Sequence, residues 1–340
     1  MNPARRGPRL PLARGPLSEA VRTLLTTDPA ATGPEHRPAE FPADVDPWSE
    51  DHQLALYLCY ELHYRGFAGV DPDWEWHPGL LRLRRALEQP FLAGLRALTE
   101  PRPALQPLLD ELLTEPVDGT GPSYFLLDEG ERWQAREYLM HRSLYHLKEA
   151  DPQAWAIPRL TGPAQAAYVA IEFDEYGAGR AEHAHSRLFA EMMADFGLDP
   201  SYGHHTDVAA APAFAVVNLM SLFGLHRALR GAAVGQFATV EITSSPGSAR
   251  LAKAFERLGA GPAGTFFYRE HVEADAVHEQ LVRHGVIRAL LAAEPELEPD
   301  IAFGVAATGL VEDRLAAHLL EHWRRGSSSL SGTATAALLG

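Results

Sequence analysis

The most informative side chains in this sequence are two histidines and an aspartate on one predicted helix. His271, Asp275 and His278 occupy positions i, i+4 and i+7. At about 100° per residue, this spacing brings all three to one face of a helix. Neutral imidazole together with carboxylate is the ligand set that suits iron, and redox-active iron in particular. The triplet on its own could be a solvated polar stripe, but its residue types favour part of an iron site whose remaining ligands come from other segments.

A second candidate pair lies on either side of two glycines. Glu175 and His185 would lie about 15 Å apart along the axis of an unbroken helix, too far for one metal site. Gly177 and Gly179 stand between them and favour a kink or an irregular turn that could bring both side chains together. Glu182 offers an alternative, because Glu182 and His185 have the Glu-x-x-His spacing of di-iron helix bundles. Helical geometry alone favours this alternative.

The elements that must position these side chains are predicted to be helices. Apolar residues recur at helical spacing from Trp48 onward, and no stretch shows the alternation that marks a strand. The sequence therefore predicts an all-α fold. It also predicts four parts, which are a flexible N-terminal arm over residues 1–43, a helical subdomain over 44–118, the main core over 119–325 and a flexible tail over 326–340.

Composition and charge narrow the class of protein. The chain has 340 residues, of which 45 are acidic and 30 are basic, and its formal charge of −15 argues against binding to nucleic acid. Its one cysteine, Cys59, cannot form an intrachain disulfide, which fits a reducing compartment. No signal peptide and no membrane-spanning segment is predicted. We therefore expect a cytoplasmic protein.

Several motifs that occur in a fixed order resemble one known family. The matching segments are residues 146–152 with 157–160, residues 174–179 with His185, and the triplet of His271, Asp275 and His278. Together they resemble the haem-oxygenase-like di-iron oxidases, often called iron-containing redox enzymes, over roughly residues 44–323. This resemblance implies a seven-helix haem-oxygenase-like core preceded by an N-terminal helical subdomain, which we expect to serve in dimerisation.

The resemblance also implies seven metal ligands. It favours Glu175 over Glu182 as the partner of His185, because the glycine break is part of the family's site. It implies Glu241 as a ligand, and the apolar neighbours of Glu241 fit this role because an unpaired buried carboxylate is costly. Glu149 matches an additional carboxylate that is characteristic of the N-oxygenating branch. The implied set is Glu149, Glu175, His185, Glu241, His271, Asp275 and His278.

The implied activity is that of a non-haem di-iron monooxygenase. Two protein-bound iron ions would alternate between Fe2+ and Fe3+ and use O2 as co-substrate. An external electron donor would reduce them again. The Glu149 match favours N-oxygenation of a small-molecule amine to a hydroxylamine or nitro product, in the biosynthesis of a specialised natural product. The expected partners are this amine, the reductant and a second copy of the chain in a homodimer, without nucleic acid or membrane.

Two alternatives stay open at this point. Within the enzyme class, the same family performs oxidative C–C or C–H cleavage of an amino or fatty acid. In another class, the fold would serve a cofactor-free or regulatory helical binding protein, which seven candidate ligands argue against. One enzyme of the N-oxygenating branch continues into a cupin domain, and because this sequence ends at Gly340 we expect no cupin-type rearrangement.

Other polar motifs are assigned no chemistry. His146 is one of several histidines that we expect to be surface or packing residues. No histidine follows His278-Glu279 at the HExxH position, and Gly177-x-Gly179 lacks the third glycine of a dinucleotide site, so neither motif predicts an activity. The substrate pocket is expected among the helices around Tyr168, Phe214, Asn218, Phe267 and Tyr268.

Overall fold

The computed structural model describes residues 7–32, 45–100, 104–116 and 119–331. All regular structure in these residues is helical, so the predicted all-α class is confirmed, while the number of seven core helices stays a prediction. The helices are α1 Pro16–Leu25, α2 Glu50–Glu61, α3 Pro78–Leu98, α4 Leu105–Leu112, α5 Pro122–Asp128, α6 Arg132–His146, α7 Asp151–Ala154, α8 Gly162–Glu175, α9 His185–Asp195, α10 Ala211–Leu225, α11 Arg230–Arg257, α12 Pro262–Gln280, α13 Arg288–Ala293 and α14 Glu298–Arg324.

Helix α10 lies at the centre of the fold because it is apolar on all sides. Every residue from Ala213 to Gly224 is buried. A helix of this kind must be covered by other helices, and α10 packs against α2, α6, α11 and α14. The central helix therefore packs against α6, which ends just before Glu149, and against α11, which carries Glu241.

Helices α11 and α14 approach each other closely through two glycines. A Cβ atom at Gly235 would collide with the carbonyl oxygen of Ile301, and one at Gly304 would collide with that of Ala232. Both positions therefore require glycine, which has no side chain. Helix α11 also packs along α12, and α12 packs against α9. Three helices that carry candidate ligands are held together in this way.

The predicted N-terminal arm is described only in part. Residues 1–6 and 33–44 lie outside the described residues. Between them, α1 packs against α2. The Asp51 carboxylate accepts hydrogen bonds from the backbone N–H groups of Leu17 and Ser18 at 2.8 and 2.7 Å. The division into arm, subdomain, core and tail stays a prediction.

The predicted C-terminal tail is also described in part, because residues 332–340 lie outside the described residues. The buried Glu137 carboxylate accepts hydrogen bonds from the backbone N–H and the hydroxyl of Ser329, at 2.9 and 2.7 Å. It accepts a third from the indole N–H of Trp323 at 3.0 Å. These contacts fasten the chain after α14 to α6.

The length and hydropathy of each helix show whether it could span a membrane. In the part of the chain that the structure describes, no single helix is both long and apolar enough to span a bilayer. The segments Ala211–Leu225 and Arg227–Arg257 meet these criteria only when they are taken together across a bend of 108°. The cytoplasmic location stays a prediction.

Candidate metal centre

Two adjacent groups of buried carboxylates and imidazoles lie among the helices. Within each group, one possible ligand atom from every residue lies within 4.8 Å of the others. The first group consists of Glu149, Glu175, His185 and His271, and the second of Glu175, Glu241, Asp275 and His278. The structure thus brings together all seven residues predicted from the sequence, with Glu175 shared by both groups. Their role as ligands stays a prediction.

The glycine-rich segment after α8 breaks the helix as predicted. Helix α8 ends at Glu175, and Gly177, Ala178 and Gly179 have left-handed φ values of 85°, 52° and 82°. The chain turns through these residues, and α9 begins at His185. The Nδ1 atom of His185 lies 2.7 Å from the Oε2 atom of Glu175. The break therefore replaces a helical separation of about 15 Å by direct contact.

Glu182, the alternative partner of His185, lies away from both groups. It belongs to the 3₁₀ turn Ala181–His183, and its side chain is exposed. The Glu-x-x-His alternative requires Glu182 and His185 on one continuous helix, whereas α9 begins only at His185. The structure therefore does not support it.

We expect Gly177→Ala to be much more damaging than Gly179→Ala. Both glycines have a left-handed φ, which costs an alanine about 1–2 kcal/mol. A Cβ atom at Gly177 would also collide with the carbonyl oxygen of Arg180 and lie 2.5 Å from the amide nitrogen of Ala184, whereas nothing lies within 4 Å of a Cβ at Gly179. Such overpacking costs about 1–3 kcal/mol more.

Urea unfolding of the metal-free variants measures both effects. Gly177→Ala should lower the free energy of unfolding by roughly 2–5 kcal/mol, and Gly179→Ala by about 1–2 kcal/mol. Equal losses in the two variants would contradict the close packing of the turn at Gly177.

Within the first group, His271 directs its Nε2 atom towards the other candidate ligands. Its Nδ1 N–H donates a hydrogen bond to the backbone carbonyl of Phe267 at 2.7 Å. Its Nε2 atom lies 3.8 Å from the Oε1 atom of Glu149. Because the proton on Nδ1 is used by the backbone, Nε2 is the nitrogen that can lose its proton and present a lone pair to a metal ion.

Within the second group, His278 directs its Nδ1 atom, not Nε2, towards the other candidate ligands. Its Nδ1 atom lies 3.0 Å from the Glu241 carboxylate and 3.5 Å from the carboxylates of Glu175 and Asp275. Three buried carboxylates from three helices thus converge on one nitrogen atom. This is the arrangement expected around a bound cation.

Glu149 lies in a strained segment just after α6. Ala150 has a φ of 75°, a left-handed conformation that costs a residue other than glycine about 1–2 kcal/mol. Lys148 donates to the buried carboxylate of Glu61 at 2.6 Å, and the Nδ1 atom of His146 lies 2.9 Å from the Oε1 atom of Glu149. Burial would raise the pKa of Glu149, but His146 holds it well below its usual value. The sequence analysis assigns His146 no role in the site. The structure instead places it against a candidate ligand. Its i,i+3 spacing from Glu149 is a signal in the sequence for this contact.

Burial and mutual contact shift the pKa values of these groups. Burial raises the pKa of Glu241 to about 8, although a hydrogen bond with His278 opposes this rise. Burial would lower the pKa of His278, but contacts with Asp275 and Glu241 raise it to about 11. Burial likewise opposes the rise at His271, where contact with Glu149 brings the pKa to about 10. Protons on the imidazoles therefore offset part of the carboxylate charge, a role that bound cations would take over.

The unpaired atoms of the site fit bound metal ions. The Oε2 atom of Glu149 and the Oδ2 atom of Asp275 are buried and have no hydrogen-bond partner within the protein. Buried carboxylate oxygens without a partner are costly unless an ion or another group binds them. Four carboxylates and three imidazoles are also the ligand types that helical proteins use for two iron ions.

Glu172 is a further buried acid beside the site that sequence reasoning missed. It lies one turn before Glu175 on α8, is 2% exposed, and neither of its carboxylate oxygens has a hydrogen-bond partner within the protein. Burial raises its pKa well above the usual value, and Glu175 and Glu241 add to this rise. Its i,i+3 spacing from Glu175 is the signal in the sequence. Glu172 belongs to neither group.

A cavity of about 430 Å³ adjoins both groups, a size that suits a small ligand. Five candidate ligands border it, which are Glu149, Glu175, Glu241, His271 and Asp275. Aromatic rings form part of its wall, from Tyr138, Tyr145, Phe267 and Tyr268. Partly exposed residues complete it and connect it to solvent, among them Ser123, Tyr124 and Arg250.

The helices predicted around the pocket all reach the cavity. Helix α8 contributes Glu175, α10 contributes Met220, and α12 contributes Phe267 and Tyr268. Tyr168, Phe214 and Asn218 do not border the cavity themselves and are almost completely buried. Periodicity shows that these three residues are buried but not which residues of their helices face the cavity.

Comparisons with known proteins agree with this geometry. Residues 136–313, which are more than half of the chain, match the family described as iron-containing redox enzymes. The matched segment begins in α6, ends in α14 and contains all seven residues of the two groups.

One similar protein is nitrosourea synthase from Streptomyces achromogenes subsp. streptozoticus. It is 24% identical over 172 residues, which are 50% of this chain. The chain covers 36% of the length of that protein.

Proposed function

Because this chain belongs to the family of iron-containing redox enzymes, and is therefore an oxidoreductase, we propose that its two groups of buried residues bind two iron ions and oxidise an amine. The observation that carries the proposal is the shared Glu175 between two buried groups of carboxylates and imidazoles. A shared carboxylate can bridge two metal ions and hold them at one site. The alternative of a cofactor-free binding protein does not fit membership of this family.

The reaction we propose is N-oxygenation of a small-molecule amine. One oxygen atom of O2 ends on the amine nitrogen and the other leaves as water, with two electrons from an external donor and two protons completing the balance. Further rounds would take the hydroxylamine to the nitro level. Bound iron supplies the redox chemistry with O2, while the protein holds the amine nearby and excludes bulk water.

Two observations favour nitrogen over carbon as the oxidised atom. Glu149 belongs to the first group, where it would add a carboxylate to the iron site. The similarity to nitrosourea synthase, at 24% identity over 36% of that protein, supports chemistry at nitrogen. The aromatic wall of the cavity, including Tyr145 and Phe267, would pack against the body of the amine. Homodimerisation and a role in the biosynthesis of a natural product belong to the same proposal.

We expect anaerobic reconstitution with Fe2+ to load about two iron ions per chain. Iron analysis after removal of unbound metal measures this ratio, since the two groups each offer four ligand residues. A stable stoichiometry of one Zn2+ per chain, with no uptake of iron, would contradict the di-iron centre.

Exposure of the Fe2+-loaded protein to O2, with a reductant and a panel of amines, tests the reaction. Mass spectrometry should find hydroxylamine or nitro products whose added oxygen comes from 18O2. Products shortened by one or more carbon atoms, or desaturated, would instead support oxidative C–C or C–H cleavage of an amino or fatty acid.

A further inference from the structure

We propose that Asp174 positions His278 by accepting a hydrogen bond from its Nε2 N–H, so that Nδ1 of His278 is the nitrogen that binds iron. This inference rests on the proposed iron centre, in which His278 is a ligand. It concerns a residue outside both groups of candidate ligands. Asp174 would therefore be a positioning residue that acts through His278.

The two ring nitrogens of His278 lie beside different carboxylates. The Nδ1 atom faces the buried carboxylates of Glu241, Glu175 and Asp275, at 3.0, 3.5 and 3.5 Å. The Nε2 atom lies 3.3 Å from the Oδ2 atom of Asp174. A neutral imidazole carries one proton, and the nitrogen that binds a metal must be the unprotonated one. The three carboxylates mark Nδ1 as the metal-facing atom, so the proton lies on Nε2 and the Asp174 carboxylate accepts a hydrogen bond from this N–H.

A carboxylate behind a ligating histidine fixes the ring orientation and raises the basicity of the ligand. His271 differs in this respect, because its second nitrogen donates to the neutral backbone carbonyl of Phe267. The anionic partner Asp174 should therefore make His278 a stronger metal ligand than His271. The two halves of the iron site would then bind metal with unequal strength.

The position of Asp174 makes it suitable for a clean test. It directly precedes Glu175 near the end of α8, so one helix end supplies both a shared carboxylate and the partner of His278. The Asp174 side chain is 48% exposed, whereas that of His278 is 1% exposed. Replacing an exposed side chain should leave the packed core intact.

The first experiment titrates metal-free protein with Co2+ without oxygen and follows the visible absorption of the bound ion. Asp174→Ala should weaken the binding of one Co2+ ion by about tenfold to a hundredfold and change its absorption spectrum. Asp174→Asn, whose amide oxygen can still accept the hydrogen bond but carries no charge, should recover only part of the affinity. Glu182→Ala is the matched control, because Glu182 is an exposed acid in the same segment and should have no effect. Wild-type affinity and spectrum in Asp174→Ala, with an unchanged thermal unfolding midpoint, would overturn the inference.

The second experiment asks whether Asp174 acts through His278. In a His278→Ala background, adding Asp174→Ala should not reduce the remaining Co2+ affinity further, because the histidine it positions is gone. An equal loss with and without His278 would overturn the positioning role.

These measurements separate the inference from the proposed reaction, because they do not depend on amine turnover. An Asp174 effect on Co2+ binding without any N-oxygenated product would contradict the proposed reaction alone. Failure of the wild-type protein to bind Co2+ or Fe2+ would contradict the iron centre itself. Two tightly bound ions that are insensitive to Asp174 would contradict the positioning role alone.

Discussion

Glu175→Ala is expected to leave the protein without either iron ion, because Glu175 is the residue that the two groups share. Its loss removes one carboxylate from each group and any bridge between the metal ions. Iron content after anaerobic reconstitution should fall from about two ions per chain to nearly none. O2-dependent oxidation should fall to the background rate of free iron.

Two further variants show whether this effect is specific. Glu182→Ala removes an exposed acid from the same segment and should retain wild-type iron content. Glu175→Gln keeps the size of the side chain but removes its charge, so it should also lose most of the iron. Circular dichroism of the metal-free proteins checks that the helices persist. If Glu175→Ala held two iron ions and Glu182→Ala did not, the Glu-x-x-His alternative would be restored.

Local spacing was sufficient to predict that three candidate ligands lie together on one face of α12. His271, Asp275 and His278 share a helix face whatever surrounds the helix, because the helical repeat is fixed by the backbone. The all-α class follows in the same way from the periodicity of apolar residues. The sequence predictions were thus most complete where only one element was involved.

Spacing failed where the backbone departs from a helix. The contact between Glu175 and His185 depends on left-handed conformations at Gly177, Ala178 and Gly179. Glycines signal that such a turn is possible, but alanine rarely adopts it, so nothing in the sequence indicates the conformation of Ala178. The resemblance to a known family, not helix geometry, led to Glu175.

Contacts between elements were missed because they depend on how helices rotate against each other. Asp174 meets His278 across 104 residues of sequence, and Lys148 meets Glu61 across 87. His146 is a nearer case, since it contacts Glu149 only three residues later, just after the end of α6. Each of these partners is polar and could equally be a surface residue by its type alone. Their roles become visible only when burial and distance are known.

Glu149→Ala is expected to reduce N-oxygenated product by about a hundredfold while O2 consumption falls much less. Glu149 belongs to the first group, faces His271 and borders the cavity, so it adjoins both the proposed iron site and the space where the amine would bind. Reduction of O2 requires iron and electrons, whereas transfer of oxygen to nitrogen also requires the amine to be held in place, and misplacement by about 1 Å can lower a rate a hundredfold. Parallel measurement of O2 uptake and product by mass spectrometry, both normalised to bound iron, gives the ratio.

The loss of product relative to the loss of O2 uptake shows what Glu149 contributes to the reaction. Glu149→Gln preserves the volume of the side chain and its possible contact with His146, so it separates the charge of Glu149 from its shape. Equal loss of product and O2 uptake would mean that Glu149 only helps to hold iron, because both processes need the metal. An unchanged product yield in Glu149→Ala would remove the structural reason for preferring nitrogen as the oxidised atom, since Glu149 is the carboxylate on which that preference depends. Oxidative C–C or C–H cleavage at the same iron site would then be the better interpretation.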